Sequence, residues 1–284
     1  MVNNLSLDLI YHYTSIDTLE LILKNQTIRF NRLDSVRDLT ESSSFNTLKL
    51  GKFFFISCWT KSLAESIPLW QMHSQAMTGV RIGFVKQLLF NYKLIKIPSK
   101  YKNEIKKTGE FISPIPFESM FTDKIFILPM FINRKYFERE VKYSNDFEKI
   151  KNDAIKIDIQ NSDYHLEIND PTGIAAVKNP AYEFENEIRF VLFIMPSVSV
   201  PHNLTFAQYI EEFTKHLSNF LYNNIGPNIN YFDVNIDSLS LDNIMITTGP
   251  RCSNSDLQRV EQLVRQYSSK GKVQKSKFEG TIRK

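Results

Sequence analysis

The run Phe184-Glu185-Asn186-Glu187-Ile188-Arg189-Phe190-Val191-Leu192-Phe193-Ile194 constrains the fold of this chain more than any other segment. Side chains alternate along a strand, so Glu185, Glu187 and Arg189 are expected on one face at its opening end. Past Arg189 both faces are apolar, the pattern of a strand covered on both sides. Two carboxylates and a guanidinium at the mouth of a buried strand are costly unless paired or used. A structural ion pair and a working site both satisfy the segment taken alone.

The rest of the chain narrows the fold. Its 284 residues suffice for a full core. With 22 Phe and 12 Tyr against 9 Gly, packed aromatics are expected in place of a glycine-looped dinucleotide fold. The net charge of +4 permits an anionic substrate or a nucleic acid without demanding either. Cys58 and Cys252 are too few for a disulfide framework. The His residues are scattered and no metal-ligand spacing, phosphate-binding loop or nucleophile elbow occurs, so no metal is expected. The N-terminus has no basic region followed by an apolar stretch, and no apolar run is bilayer-long. No membrane association is expected, and a cytoplasmic setting is the simplest.

Periodicity gives a strand at 7–13, then a helix with Ile16, Leu19, Ile22 and Leu23 inward, and a strand at 27–30. The polar segment 31–44, with Arg37, Asp38 and Glu41, reads as a solvated turn. A central strand follows at 52–59, a helical stretch at 64–77 and a strand at 79–85. The pattern weakens over 93–175, which reads as an insertion covering a site and holding a helical run at 134–151. Helices are expected at 206–222 and 255–268, a strand at 242–248, and a loose basic tail from 270. Elements in this mixed order imply an α+β fold, one domain over 1–284, with a mixed, largely antiparallel central sheet and flanking helices.

Three further positions carry candidate chemistry. His12 stands between Tyr11 and Tyr13 just before a helix start. A lone strand-end His is most often a satisfied core group. This one offers an imidazole, aromatic faces and free backbone N–H groups, which suits a ribose and phosphate. Trp59 and Trp70 are either core residues or faces on which a heteroaromatic ring could stack.

Taken in order, several marks resemble a widespread bacterial family catalogued as a domain of unknown function. They are Leu9-Ile-Tyr-His-Tyr-Thr14, Ile28-Arg29-Phe30, Asp38…Glu41, Phe55-Ile-Ser-Cys-Trp59 and the Trp70 helix leading into Gly79-Val-Arg-Ile-Gly-Phe84. Lys178 before Glu185-x-Glu187-x-Arg189, and Ile244…Gly249-Pro250, complete the series. His73 departs from it, standing where an aromatic is expected. That family in turn resembles the ADP-ribosyltransferase superfamily, above all the toxin branch that modifies DNA. The resemblance implies an ADP-ribosyltransferase-like fold and NAD as substrate. His12 and Thr14 would hold the NAD ribose and Ser57 and Trp59 would lie beside the nicotinamide, with Tyr13 and Trp70 the further candidate cofactor-binding residues. Glu187 would be catalytic, with Glu185 orienting the acceptor and Arg189 or Lys178 keeping Glu187 ionised. It also implies a macromolecular acceptor, nucleic acid or protein, a toxin or antiphage role, and an antitoxin or activating partner. NAD hydrolysis without an acceptor and non-catalytic nucleotide sensing are the alternatives.

Overall fold

The computed structural model describes residues 8–36, 38, 40–41, 49–96, 110–160, 163–198 and 206–282. Leu7, Arg37, the 42–44 end of the polar turn and the Lys-rich stretch 97–109 lie outside them.

The first four strands are β1 (Leu9–Thr14), β2 (Thr27–Arg32), β3 (Phe54–Thr60) and β4 (Val80–Val85). An antiparallel pair, β5 (Lys93–Lys96) and β6 (Glu110–Ser113), precedes the short strands β7 (Ile125–Ile127), β8 (Glu138–Glu140) and β9 (Lys142–Tyr143). A second pair, β10 (Ile155–Gln160) and β11 (Asp163–Ile168), leads to β12 (Val177–Lys178) and the long β13 (Glu187–Pro196). The series closes with β14 (Tyr231–Asn235), β15 (Met245–Thr248) and β16 (Lys272–Lys275).

The main sheet runs β14-β2-β3-β1-β4-β15-β16, with β13 on the other edge of β3. Its pairings are antiparallel except β15 with β16. The fold is thus α+β with a largely antiparallel sheet. The hub is β3. On one edge it pairs β13 from Phe54 to Thr60. On the other, Phe55 and Ile56 pair β2 while Thr60 pairs Tyr11 of β1, and residues 57–59 pair neither. The sheet forks at that gap.

Pleat alternation then sorts the side chains. Ile10, Trp59, Ile82, Ile188, Phe190 and Ile246 belong to a core shared with helix α1 (Ile16–Asn25) and the helix Asn254–Tyr267. Ser15 caps α1 by accepting from the Thr18 N–H at 3.0 Å, and Leu19 and Leu23 face inward. On the opposite face Phe54, Ile56, Val191 and Phe193 pack with Leu217 and Leu221 of the helix Phe206–Tyr222. Further along that second face, toward the fork, the residues turn polar: Cys58, Thr60, Glu187 and Arg189.

Four expectations change. The strand begins at Glu187, because Pro180–Glu185 forms a 3-10 helix opened by the Asn179 side chain and closed by left-handed Asn186 at φ 44°. The 93–175 segment supplies β7 and β8, which cover the free edge of β13 at Ile194–Pro196 and Ile188–Phe190. Within it the 134–151 run is helical only at Arg134–Phe137 and from Phe147, because pairing to β13 overrides local helix preference. The tail forms β16, whose partner β15 is remote in sequence, and Phe278 packs near Trp70. An edge strand, β14, went unread because only Val234 is buried in it. No helix among the described residues is long and apolar enough to cross a membrane.

Candidate functional site

At the mouth of β13, Arg189 is 1% exposed and lies in a cage of acceptors. Its Nε donates to Glu187 Oε1 at 2.8 Å, Nη2 to Glu187 Oε2 at 3.0 Å and Nη1 to the Ala175 carbonyl at 2.8 Å. Nη2 also sits 2.6 Å from Glu41 Oε2. Lys178 Nζ donates to Glu185 Oε2 at 2.6 Å and Glu187 Oε2 at 3.3 Å, and lies 3.5 Å from Glu41 Oε1. His73 Nε2 approaches Glu185 Oε1 at 3.4 Å. Three carboxylates therefore surround two permanent cations.

Electrostatics follows from this count. Burial opposes ionisation of Glu187, yet the adjoining Arg189 and Lys178 hold its carboxyl down to about 2. For Glu41 burial wins over the same two cations, and its carboxyl rises above the ordinary range. Burial also drives the Cys58 thiol well up, with the Glu187 charge adding to it. Burial pushes the phenol of Tyr143, whose hydroxyl accepts from the Glu187 N–H, up to about 12.

Glu41 corrects the sequence reading. It is buried at 3% exposure and ion-paired, not solvated. Glu41 sets a second carboxylate charge beside the guanidinium, an ion pair without an aligned hydrogen bond. It comes from a turn whose partners lie far along the chain, so nothing local reveals it.

This cluster forms one wall of a cavity of about 420 Å³, within the range of small-molecule sites. Tyr11, His12, Tyr13, Trp59 and Thr60 form another wall, and Leu69, Met72 and His73 from helix α2 (Ile67–His73) border it. The register explains the assembly. Tyr11, Thr60 and Glu187 are paired across β1, β3 and β13, so all three share one row. Beyond Tyr11, β1 leaves β3, and His12 crosses the gap: its Nδ1 meets the Cys58 carbonyl at 2.9 Å. A carbonyl only accepts, so Nδ1 carries the proton and Nε2 is left as an acceptor.

The fork has a second chamber. Thr14 and Ser57 line a cavity of about 370 Å³ that shares His12, Asn31, Val36 and Cys58 with the first. Ser57 Oγ accepts from Trp59 Nε1 at 3.0 Å. Trp59 is 2% exposed and packs edge-on with Phe84 and Phe190, so it is a core residue whose rim borders the site. Trp70 does not line either chamber. It is fully buried, donates to Glu65 from Nε1 and meets Tyr13 edge-on at 4.8 Å. Its position on the inward side of α2 makes it the anchor of that helix and not a stacking face. Tyr13 itself is 6% exposed, and its hydroxyl accepts from the Ser66 N–H.

The site thus brings together Glu185, Glu187, Arg189, His12, Tyr13 and Trp59, puts Thr14 and Ser57 in the adjoining chamber, and leaves Trp70 in the core. Sequence reasoning missed Glu41, Cys58 and Thr60. The last two were legible as alternate positions on β3, because they share the pleat face of Arg189 and Glu187.

Acid is expected to weaken the protein through two of these groups. Burial lowers the His12 pKa below 6.5, outweighing the hydrogen bond to Cys58. The unfolded chain then binds the extra proton first, so stability falls as pH drops below 6.5. Glu187 has a depressed value, so its contribution is present above about pH 4.5 and is lost as pH falls toward 2. Urea midpoints from pH 8 to 2, with NMR titration of the His12 ring, check both. A His12 midpoint at or above 6.5 contradicts the buried neutral ring.

No curated protein and no solved structure matches the chain. Residues 69–190 match the model of a family described as a protein of unknown function, DUF2971. The matched segment is less than half of the chain. It takes in α2 from Leu69 onward, Lys178, Glu185, Glu187 and Arg189, while β1 with His12 precedes it.

Proposed function

We propose that this chain consumes NAD and transfers its ADP-ribose to a macromolecular acceptor. One observation carries the reading: an ionised Glu187 and a neutral His12 border the same cavity, at a fork with two adjoining chambers that share lining residues. Cleaving the nicotinamide–ribose bond passes through an oxocarbenium-like state, whose positive charge a fixed carboxylate stabilises. Glu187 would accept from the ribose 2′-hydroxyl, and His12 Nε2 from another sugar hydroxyl. Glu185, tied to Lys178 and near His73, would orient the acceptor or take its proton. The acceptor's identity, a toxin or antiphage role and any antitoxin or activator rest on the family resemblance alone.

One observation favours a second reading, a nucleotide-binding module without turnover. The Glu187 carboxylate already receives both Arg189 bonds and the Lys178 bond. A carboxylate has about four acceptor positions, so a sugar hydroxyl is left with one of them at most.

The test is NAD labelled in its adenylate half, given to the protein with and without cell lysate, with nicotinamide release measured. Transfer predicts release and macromolecular label only with lysate, and hydrolysis predicts release from NAD alone. Saturable binding without release selects the module. Absence of both binding and release overturns the NAD readings together.

A further inference from the structure

We propose that a separate cavity, walled by Arg81, Lys272 and Lys277, binds a phosphate group. It encloses about 270 Å³ and lies on the same sheet face as the candidate site, with Tyr11 bordering both. The register fixes its floor: Tyr13 pairs Arg81, Arg81 pairs Thr247, Thr247 pairs Gln274, and Met245 pairs Lys272.

Arg81 is 4% exposed and stacks 3.5 Å above the Tyr11 ring. Its Nη2 donates to the Ser62 and Leu63 carbonyls at 2.7 and 2.8 Å, and its Nε has no acceptor. Arg189, the other deeply buried arginine at this face, has two carboxylates. Arg81 has none within ion-pairing distance among the described residues. A buried guanidinium without a counter-anion is expensive, and two carbonyl contacts compensate only part of that cost.

Lys272 and Lys277 add two exposed cations, neither paired with a carboxylate among the described residues. The one acid in the wall, Glu65, is already committed: Trp70 Nε1, Ser276 Oγ and the Lys277 N–H all donate to it. It lowers the local charge without occupying the cations. Thr247 Oγ1 accepts from Gln274 Nε2, which leaves its O–H free to donate. A planar guanidinium, two ammonium groups and a hydroxyl donor around one hollow suit a phosphate better than a neutral ligand.

The proposal stands whether or not NAD is the substrate. Two sources share the chemistry: the pyrophosphate of a dinucleotide reaching past Tyr11, or a phosphate on a separate molecule. Calorimetry with inorganic pyrophosphate at low salt is expected to give saturable binding. The Lys272→Gln/Lys277→Gln double variant, altered only at exposed positions, should weaken it about tenfold or more. Arg81→Lys should weaken it as well while keeping a charge in place, and Glu187→Gln should leave it unchanged. If NAD affinity falls in parallel in the double variant, the dinucleotide is the source. If NAD binding is unchanged and a short oligonucleotide loses affinity, the phosphate belongs to a separate strand. No saturable pyrophosphate binding, or equal binding in the double variant, overturns the site. Failure of the NAD reading looks different, because pyrophosphate then binds while NAD does not.

Discussion

Arg189→Met is expected to lower the unfolding free energy by about 3–5 kcal/mol, the usual cost of removing one partner from a buried ion pair. Arg189 is among the largest fully buried side chains, and four of its contacts are oxygen atoms of Glu187, Glu41 and Ala175. Without it, three carboxylates face Lys178 alone. Glu187 and Glu41 must then take up protons in the folded state, so their folded values rise above the unfolded one. A group with a raised folded value contributes stability below its unfolded pKa and loses it as pH rises through the folded pKa. The variant's deficit should therefore be larger at pH 8 than at pH 5, the reverse of the wild-type acid trend. Urea unfolding at the two pH values reads this directly. A deficit under 1 kcal/mol, or one that grows as pH falls, would show that the cluster is solvated.

How much of this was legible in the chain differs between the strand and its surroundings. The alternation of Glu187 and Arg189 and the apolar run to Ile194 placed β13 and its ion pair, since period-2 patterning is a local property. The helix α1 and the helix Phe206–Tyr222 were readable for the same reason. Glu185 was misread as part of the strand, because Asn186 in a left-handed conformation breaks the alternation and no residue type forces that break. Glu41, β8 and β16 are held by partners far away in sequence, so their own composition, charged and polar, argued for solvent. Trp70 shows the converse error. Its indole suits ligand stacking in the abstract, but the spacing of Leu69 and Trp70 against Met77 and Phe278 makes it a core contact.

Glu187→Gln is the companion experiment, and its expected result is a loss of at least about a hundredfold in turnover with the fold retained. The substitution is gentle because of the charge count. Wild type holds Glu41, Glu185 and Glu187 against Lys178 and Arg189, and the amide brings that cluster to balance where Arg189→Met takes it further from it. Gln keeps a carbonyl oxygen that can accept from Arg189 Nε, while its amide nitrogen faces Lys178 Nζ and Arg189 Nη2 as a mismatched donor. The fold should lose less than in Arg189→Met, and unfolding curves for the pair establish that order first. What the amide cannot do is offer a full negative charge to a developing oxocarbenium, so a catalytic Glu187 predicts lost turnover with NAD affinity changed severalfold at most. A binding module predicts the opposite split, altered affinity and no turnover in either protein. Nicotinamide release beside calorimetric NAD binding separates the two, and unchanged turnover in the variant removes Glu187 from the chemistry.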